Sequence, residues 1–139
     1  MRGRRVLLFR LGGRVFAVPA DQSREAFAPG RVAALPLGRR VLLGVCAVQG
    51  RPVPLVNLAA LVGEPEPTAE LALLVETAGQ PLAFPVAGVL GFESRTVPAP
   101  APQDLLAEDT AGDLGPVHHL DLAALAQTVR AQLGVQASA

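Results

Sequence analysis

Proline and glycine interrupt this chain at short intervals, and that punctuation limits its fold more than any other feature. The 139 residues include 13 prolines and 14 glycines, nearly all of them before residue 117. A long helix does not survive such spacing, because proline removes a backbone donor and clashes with the preceding turn. Valine-rich runs of about 4–8 residues between the breaks are typical of strands, and many short strands indicate a mainly β fold. The predicted strands are residues 6–11, 15–20, 41–48, 53–58, 71–75, 82–90 and 117–122.

Two segments carry helix signals instead. Asn57 is placed to cap a short helical turn that Gly63 ends, and Asp121 is placed to cap a longer helix from Leu122 to about Leu133. Leucine and valine recur every three or four residues along the longer segment, which gives one apolar face. We expect Gly134 to end that helix.

An internal repeat organises the chain. The hairpin pattern around Gly13 recurs around Gly79, and the segment 57–61 (NLAAL) recurs as 121–125 (DLAAL), at almost the same offset along the chain. Chance similarity within a chain rich in alanine, leucine and valine is one explanation. The other is two similar lobes, each opened by a hairpin and closed by a strand and a helical turn. Each lobe would be small for an independent core, so we expect them to share apolar surface.

Composition excludes several classes of protein. Half of the residues are hydrophobic, only 17% are charged, and 12 basic residues balance 12 acidic ones. Disordered chains have low hydrophobicity, and nucleic-acid-binding domains carry a basic excess, so both classes fit poorly. The single cysteine excludes an intrachain disulfide, and no apolar run approaches the ~20 residues that span a bilayer. We therefore predict a cytoplasmic protein.

Four segments together resemble the CheW family of bacterial chemotaxis coupling proteins. Residues 9–19 (FRLGGRVFAVP) are similar to the family's first hairpin, and residues 35–58 to its central signature with a tight turn at Gly50. Residues 82–89 (LAFPVAGV) resemble its later aliphatic Val-Asp-x-Val strand, and residues 117–125 match its closing strand and helix. The resemblance spans about residues 5–130.

This resemblance implies a fold and a role. The fold would be two SH3-like five-stranded β-barrel lobes with a C-terminal helix, intertwined as one domain over residues 1–135, with a tail at 136–139. The role would be a non-enzymatic adaptor or scaffold that has no cofactor and no metal. Its implied partners are the regulatory domain of a CheA-type histidine kinase, the cytoplasmic tips of chemoreceptors, and other CheW-like proteins. It would meet the membrane only through receptor arrays.

Three positions depart from the family pattern, because each is neutral where the family is commonly charged. Gln49 replaces an arginine important for receptor coupling, and Asn57 and Ala87 replace aspartates. These changes favour a divergent member: a scaffold outside motility control, or one bound only to the kinase or to another CheW-like protein. The candidate partner-binding residues surround the turn and a basic pair: Gln49, Gly50, Arg51, Arg39 and Arg40.

An unrelated class remains open, a small-ligand-binding or catalytic β-barrel. His118 and His119 are adjacent, so in a strand they point to opposite faces and do not share a metal. Cys46 lies in an apolar run and is predicted to be a small buried hydrophobe. The acidic residues between 104 and 113 lack the spacing of a calcium loop and are predicted to form a solvated loop.

Proline also predicts where one strand lacks a neighbour. Pro52 and Pro54 are two residues apart, so their missing donors face the same side of the strand. We expect that side of residues 52–54 to be unpaired, while Val53 pairs with the strand on the other side.

Overall fold

The structure is a computed structural model that describes residues 3–33, 41–68, 70–99 and 104–138. In these ranges the chain is mainly β, as predicted, with one short and one longer helix and a 3₁₀ turn at Ala20–Gln22. The strands and helices are β1 (Arg4–Leu11), β2 (Arg14–Pro19), β3 (Ser23–Phe27), β4 (Val32–Ala33), β5 (Leu42–Val48), β6 (Arg51–Val56), α1 (Leu58–Val62), β7 (Ala72–Thr77), β8 (Gln80–Pro85), β9 (Gly88–Arg95), β10 (Leu106–Asp109), β11 (Val117–Leu120) and α2 (Leu122–Ser138).

The strands form two sheets. Sheet A has the order β10-β11-β2-β1-β9, and sheet B has the order β3-β7-β8-β6-β5-β4. The two-residue β4 adds a sixth strand to the five expected in sheet B. The pairs β2–β11 and β6–β8 are parallel, and the other neighbours are antiparallel.

The internal repeat is present in the strand order and in the register. The hairpins β1–β2 and β7–β8 turn through two residues each, so Gly13 and Gly79 occupy equivalent turns. β9 pairs with β1 in the same register in which β3 pairs with β7. Phe92 lies opposite Leu7, and Ala26 lies opposite Leu73. The repeat aligns Phe92 with Ala26 and Leu7 with Leu73. Each hairpin is therefore followed by a strand that crosses into the other sheet, and both repeats contribute to both sheets.

The predicted run at residues 82–90 is wrong in one respect, because it contains this crossing. β8 ends at Pro85, and Val86 N still continues the hairpin by donating to Leu71 O at 3.0 Å. Ala87 N instead donates to Arg10 O of sheet A at 2.8 Å. The second half of the run is β9, in the other sheet. The strands β3, β4 and β10 have no counterpart among the predicted runs.

Both helix caps are as predicted. The Ala60 amide donates to Asn57 Oδ1 at 3.3 Å, and the Ala124 amide donates to Asp121 Oδ1 at 3.2 Å. The positive φ of 77° at Gly63 ends α1, but Gly134 does not end α2, which continues to Ser138. A helix-interior glycine costs only about 1 kcal/mol, and no proline follows Gly134 to enforce an end.

The described residues form three apolar clusters. The largest, here called the shared core, lies between the sheets and includes Phe9 and Phe16 of sheet A with Phe84 of sheet B. Each sheet also has a smaller cluster of its own, around Leu8 in sheet A and around Leu55 in sheet B. The expectation that the two lobes share apolar surface is therefore confirmed.

The proline prediction for β6 is confirmed by its register. Val53 pairs with Cys46 of β5, and the parallel pairing with β8 is recorded only at Leu55 and Ala83. Within the described part of the chain, residues 52–54 thus have a partner strand on one side only.

Candidate partner-binding surface

Three large apolar side chains are exposed on β9, the edge strand of sheet A. Val89 is 38% exposed, Leu90 43% and Phe92 53%, and we call these three residues the β9 strip. An edge strand presents unpaired backbone groups, and proteins usually protect such an edge with charge, proline or a cover. Clustered apolar exposure at an edge therefore marks a candidate interaction site.

The register shows which face the strip belongs to. Phe92 lies opposite Leu7, and Val89 lies opposite Phe9. Cross-strand neighbours share a face of a sheet, and Leu7 and Phe9 both belong to the shared core. Val89 and Phe92 thus continue the shared core outward to the protein surface, and Leu90 lies beside them at the bulge between Val89 and Gly91.

Sheet B provides an internal comparison. The residues of β3 that match Val89, Leu90 and Phe92 are Ser23, Arg24 and Ala26, in the same register and with a bulge at the same place. The three equivalent positions are therefore small or polar. Because one fold carries both versions, the fold does not require an exposed apolar edge.

Arginines border the strip. The Arg5 guanidinium lies 4.9 Å from the centroid of the Phe92 ring, a cation–π geometry. An open depression of about 710 Å³ adjoins the ring, and its lining residues are Arg4, Arg5, Pro19, Ala20, Asp21 and Phe92. The N-terminal basic residues therefore flank an apolar surface, which suits a partner that is apolar at its centre and acidic at its rim.

A group of charged and titratable side chains, mostly withdrawn from solvent, lies at the end of β9, and we call Glu93, Arg95, Asp109 and His119 the ionic cluster. The side chains of Arg95 and His119 are each 6% exposed, and that of Asp109 is 9% exposed. Arg95 Nε donates to Asp109 Oδ2 at 2.7 Å, and Arg95 Nη1 donates to Glu93 Oε2 at 2.6 Å. His119 Nε2 lies 3.3 Å from Asp109 Oδ2, and Asp109 Oδ1 accepts the Ala111 amide at 2.9 Å.

The cluster sets the ionisation of its members. Burial alone would raise the pKa of Asp109, but hydrogen bonds from Arg95, the Ala111 amide and His119, with the Arg95 charge, lower that pKa to about 2. Burial lowers the pKa of His119 below its ordinary value, although its bond to Asp109 acts in the opposite direction. Asp109 is therefore ionised at neutral pH, and His119 is mainly neutral.

The prediction of a solvated acidic loop at residues 104–113 is thus wrong for its central part. Glu108 and Asp109 lie in β10, and the Asp109 side chain is only 9% exposed and is paired with Arg95. The sequence around them lacks the alternation of a strand, and the arginine that stabilises Asp109 comes from a different strand, β9.

The two histidines have separate surroundings, as the strand geometry predicts. His118 packs its ring 5.5 Å from Phe16, whereas His119 belongs to the ionic cluster. Arg14 also contacts Phe16, because its guanidinium lies 5.1 Å from the centroid of the Phe16 ring. Arg14 Nε donates to Glu64 Oε2 at 2.5 Å. That bond, with the Gly13 amide, lowers the pKa of Glu64.

The residues singled out from the sequence lie elsewhere. Gln49 and Gly50 form the two-residue turn between β5 and β6, with φ of 52° and 78°, and they and Arg51 are exposed. This turn belongs to sheet B, so it is not part of the β9 strip. Arg39 and Arg40 lie outside the described residues.

Three further positions have clear surroundings. Asn57 is buried and its side chain caps α1. Ala87 is exposed at the crossing between the sheets. Cys46 is buried as predicted, and burial raises the pKa of its thiol.

The His, Cys, Asp and Glu side chains of the described ranges do not form a metal site. Among these residues, no group of three or more His, Cys, Asp or Glu side chains is placed to hold a metal ion. No helix in this part of the chain is long and apolar enough to cross a membrane.

Comparison with known proteins agrees with the architecture. A family model described as the CheW-like domain matches residues 5–127. The chain is similar to the solved structure of the scaffolding protein TtCheW from Thermoanaerobacter tengcongensis, with a TM-score of 0.70 and 15% sequence identity, over 87% of this chain and 90% of that one. A search of curated proteins gave no match. Because the family model spans most of its length, this chain belongs to the family of CheW-like domains.

Proposed function

We propose that this protein is a non-enzymatic chemosensory adaptor that works in the cytoplasm. It joins a CheA-type histidine kinase to chemoreceptor tips or to other CheW-like proteins. Membership of the family supports the adaptor role, and TtCheW is itself described as a scaffolding protein. The extent of a single domain at residues 1–135, with a tail at 136–139, stays a prediction.

The β9 strip is the observation that carries this proposal. It exposes apolar area on one sheet edge, whereas the three equivalent positions of the other sheet are small or polar. Binding energy at protein interfaces is concentrated in a few large side chains that lose water on binding. Phe92, the most exposed of the large hydrophobic residues described, is the best candidate for such an anchor.

Replacing the anchor tests this role. We expect Phe92→Ser to weaken binding by about tenfold or more, since an interface anchor contributes more than about 1.4 kcal/mol. The measurement is calorimetric titration against two probes, a kinase regulatory domain and a receptor-tip fragment from the source organism. Ala26→Ser is the matched control, because Ala26 holds the equivalent register position on β3.

The outcomes separate the alternatives. Kinase binding without receptor binding identifies a scaffold that does not couple to receptors. Binding of neither probe by the wild-type protein contradicts the adaptor role and favours a small-ligand-binding barrel. Equal affinity of Phe92→Ser and wild type contradicts the assignment of the β9 strip.

The turn at Gln49 is proposed as a second contact, together with Gly50, Arg51, Arg39 and Arg40. Gln49 projects from a hairpin tip, where a neutral amide makes hydrogen bonds of about 0.5–1.5 kcal/mol and a charged group about 1.5–3. We therefore expect Gln49→Arg to strengthen receptor-tip binding by roughly tenfold and to leave kinase binding nearly unchanged. The same titration measures both, and tight wild-type receptor binding that is unaffected by the substitution would contradict this prediction.

A further inference from the structure

The ionic cluster connects strands at opposite ends of sheet A. β9 and β10 are the first and last strands of its hydrogen-bonded order, yet Arg95 of β9 and Asp109 of β10 are joined at 2.7 Å. The sheet must therefore curl until its two edges meet. Side chains make this junction, because no backbone pairing between β9 and β10 is recorded among the described residues.

Arg95 fixes this junction in three directions. Its Nε donates to Asp109, its Nη1 donates to Glu93 of its own strand, and its Nη2 donates to the carbonyl of Ala111. Asp109 in turn accepts the Ala111 amide, so the start of the loop after β10 is held from both sides. The planar guanidinium makes these three hydrogen bonds in one orientation only, and the ammonium group of a lysine does not reproduce this arrangement.

The aligned positions in sheet B are apolar. The repeat aligns Arg95 with Pro29, and it aligns His119 with Leu55. Asp109 pairs with Val117, and the aligned pair in sheet B is Cys46 with Val53. Cys46 is therefore the counterpart of Asp109. Pro29, Cys46 and Leu55 are all buried.

This internal comparison shows that the fold accepts buried apolar side chains at the three aligned positions. A buried ion pair is weak evidence for stability, because desolvation offsets most of its attraction and apolar replacements are often neutral or stabilising. The charged junction of sheet A adds a fixed geometry, because hydrogen bonds fix the orientation of the groups they join and apolar contacts do not. The charged junction also lies in the sheet whose edge strand carries the β9 strip, and Phe92 and Glu93 are neighbours on that strand.

We propose that the ionic cluster is a positioning device that holds the end of β9 and residues 109–111 in one geometry, and so presents the β9 strip to its partner. Arg95 and Asp109 are positioning residues in this role. The first half of the inference, a strand held by the cluster, is independent of the proposed function. The second half, presentation to a partner, rests on it.

The test separates positioning from stability. The triple variant Arg95→Leu, Asp109→Val, His119→Leu gives the junction apolar side chains, as at the aligned positions of sheet B. Arg95→Lys keeps the charge but loses the fork. Arg24→Met is the matched control, since it removes an exposed ion pair, 3.7 Å from Arg24 Nε to Glu76 Oε2, on the equivalent edge strand β3. Amide hydrogen exchange is measured along β9, with β7 and β8 as an internal reference.

We expect the triple variant to unfold at a denaturant concentration close to that of the wild type, while its β9 amides exchange at least tenfold faster relative to β7 and β8. Arg95→Lys is expected to show the same exchange change, and it decides the question if the triple variant does not fold. Arg24→Met is expected to leave β9 exchange unchanged. Unchanged β9 exchange in the variants overturns the proposal, whatever the partner affinity.

Partner affinity then tests the second half. With the kinase regulatory domain and receptor-tip probes, we expect both cluster variants to bind about tenfold more weakly than the wild type. Faster exchange with unchanged affinity overturns the presentation role. If the wild-type protein binds neither probe, the proposed function fails, and the exchange result alone still decides whether the cluster holds β9.

Discussion

Phe9→Ala is expected to lower the free energy of unfolding by about 3–5 kcal/mol, the range for removing a buried aromatic ring. Phe9 is fully buried, and its ring centroid lies 5.6 Å from that of Phe16 and 5.4 Å from that of Phe84. Phe16 belongs to sheet A and Phe84 to sheet B. The substitution therefore leaves a cavity where the two sheets meet. Urea denaturation followed by circular dichroism measures the effect.

A matched ring on the neighbouring strand provides the control. Phe92 also lies in sheet A but is 53% exposed, so we expect Phe92→Ala to change the unfolding free energy by less than about 1 kcal/mol. Both variants should unfold in a single transition, because each repeat contributes strands to both sheets. Two separate transitions, or equal losses in the two variants, would contradict a shared core centred on Phe9.

The repeat could be predicted from the sequence because its markers are local. A glycine turn between apolar runs and a capping residue before an alanine-leucine segment recur at nearly equal offsets, and both features depend on near neighbours. The caps at Asn57 and Asp121 act through the amides three residues ahead, so their geometry follows from the sequence.

The crossing strands could not be predicted, because tertiary pairing determines their structure. The segments SREAF of β3 and LAED of β10 contain no run of β-branched residues, and each is a strand through the neighbour it pairs with. The β9 strip illustrates the same limit. Phe92 and Phe9 are the same residue type. Phe92 is exposed whereas Phe9 is buried, because β9 lies at the edge of its sheet.

The ionic cluster gave no sequence signal either. Arg95, Asp109 and His119 are well separated along the chain and come from three strands. The sequence shows an acidic stretch, for which solvation is the usual outcome. The contrast with Pro29, Cys46 and Leu55 appears only after the register of the two sheets aligns the repeats.

Asp109→Asn is expected to lower the free energy of unfolding by about 3 kcal/mol at pH 7, because it removes the main partner of a buried guanidinium. The Arg95 side chain is only 6% exposed, and its remaining partners are Glu93, which is largely exposed, and the carbonyl of Ala111. The retained bond to Glu93 places the effect at the lower end of the range for breaking a buried ion pair. Asp113→Asn, at an exposed position a few residues away, is expected to change little.

Acid sensitivity gives this prediction an independent signature. The pKa of Asp109 is about 2 in the folded chain against 3.8 as its ordinary value, so its contribution is complete above pH 3.8 and is lost as the pH falls toward 2. That shift corresponds to about 2 kcal/mol. The pKa of His119 is also lowered, so its contribution is present above pH 6.5 and decreases below it. Denaturation measured from pH 7 to pH 2 should show both losses in the wild type, and only the histidine loss from this cluster in Asp109→Asn. If the variant instead retains the full wild-type decrease between pH 4 and pH 2, Asp109 is not the carboxylate that sustains the junction.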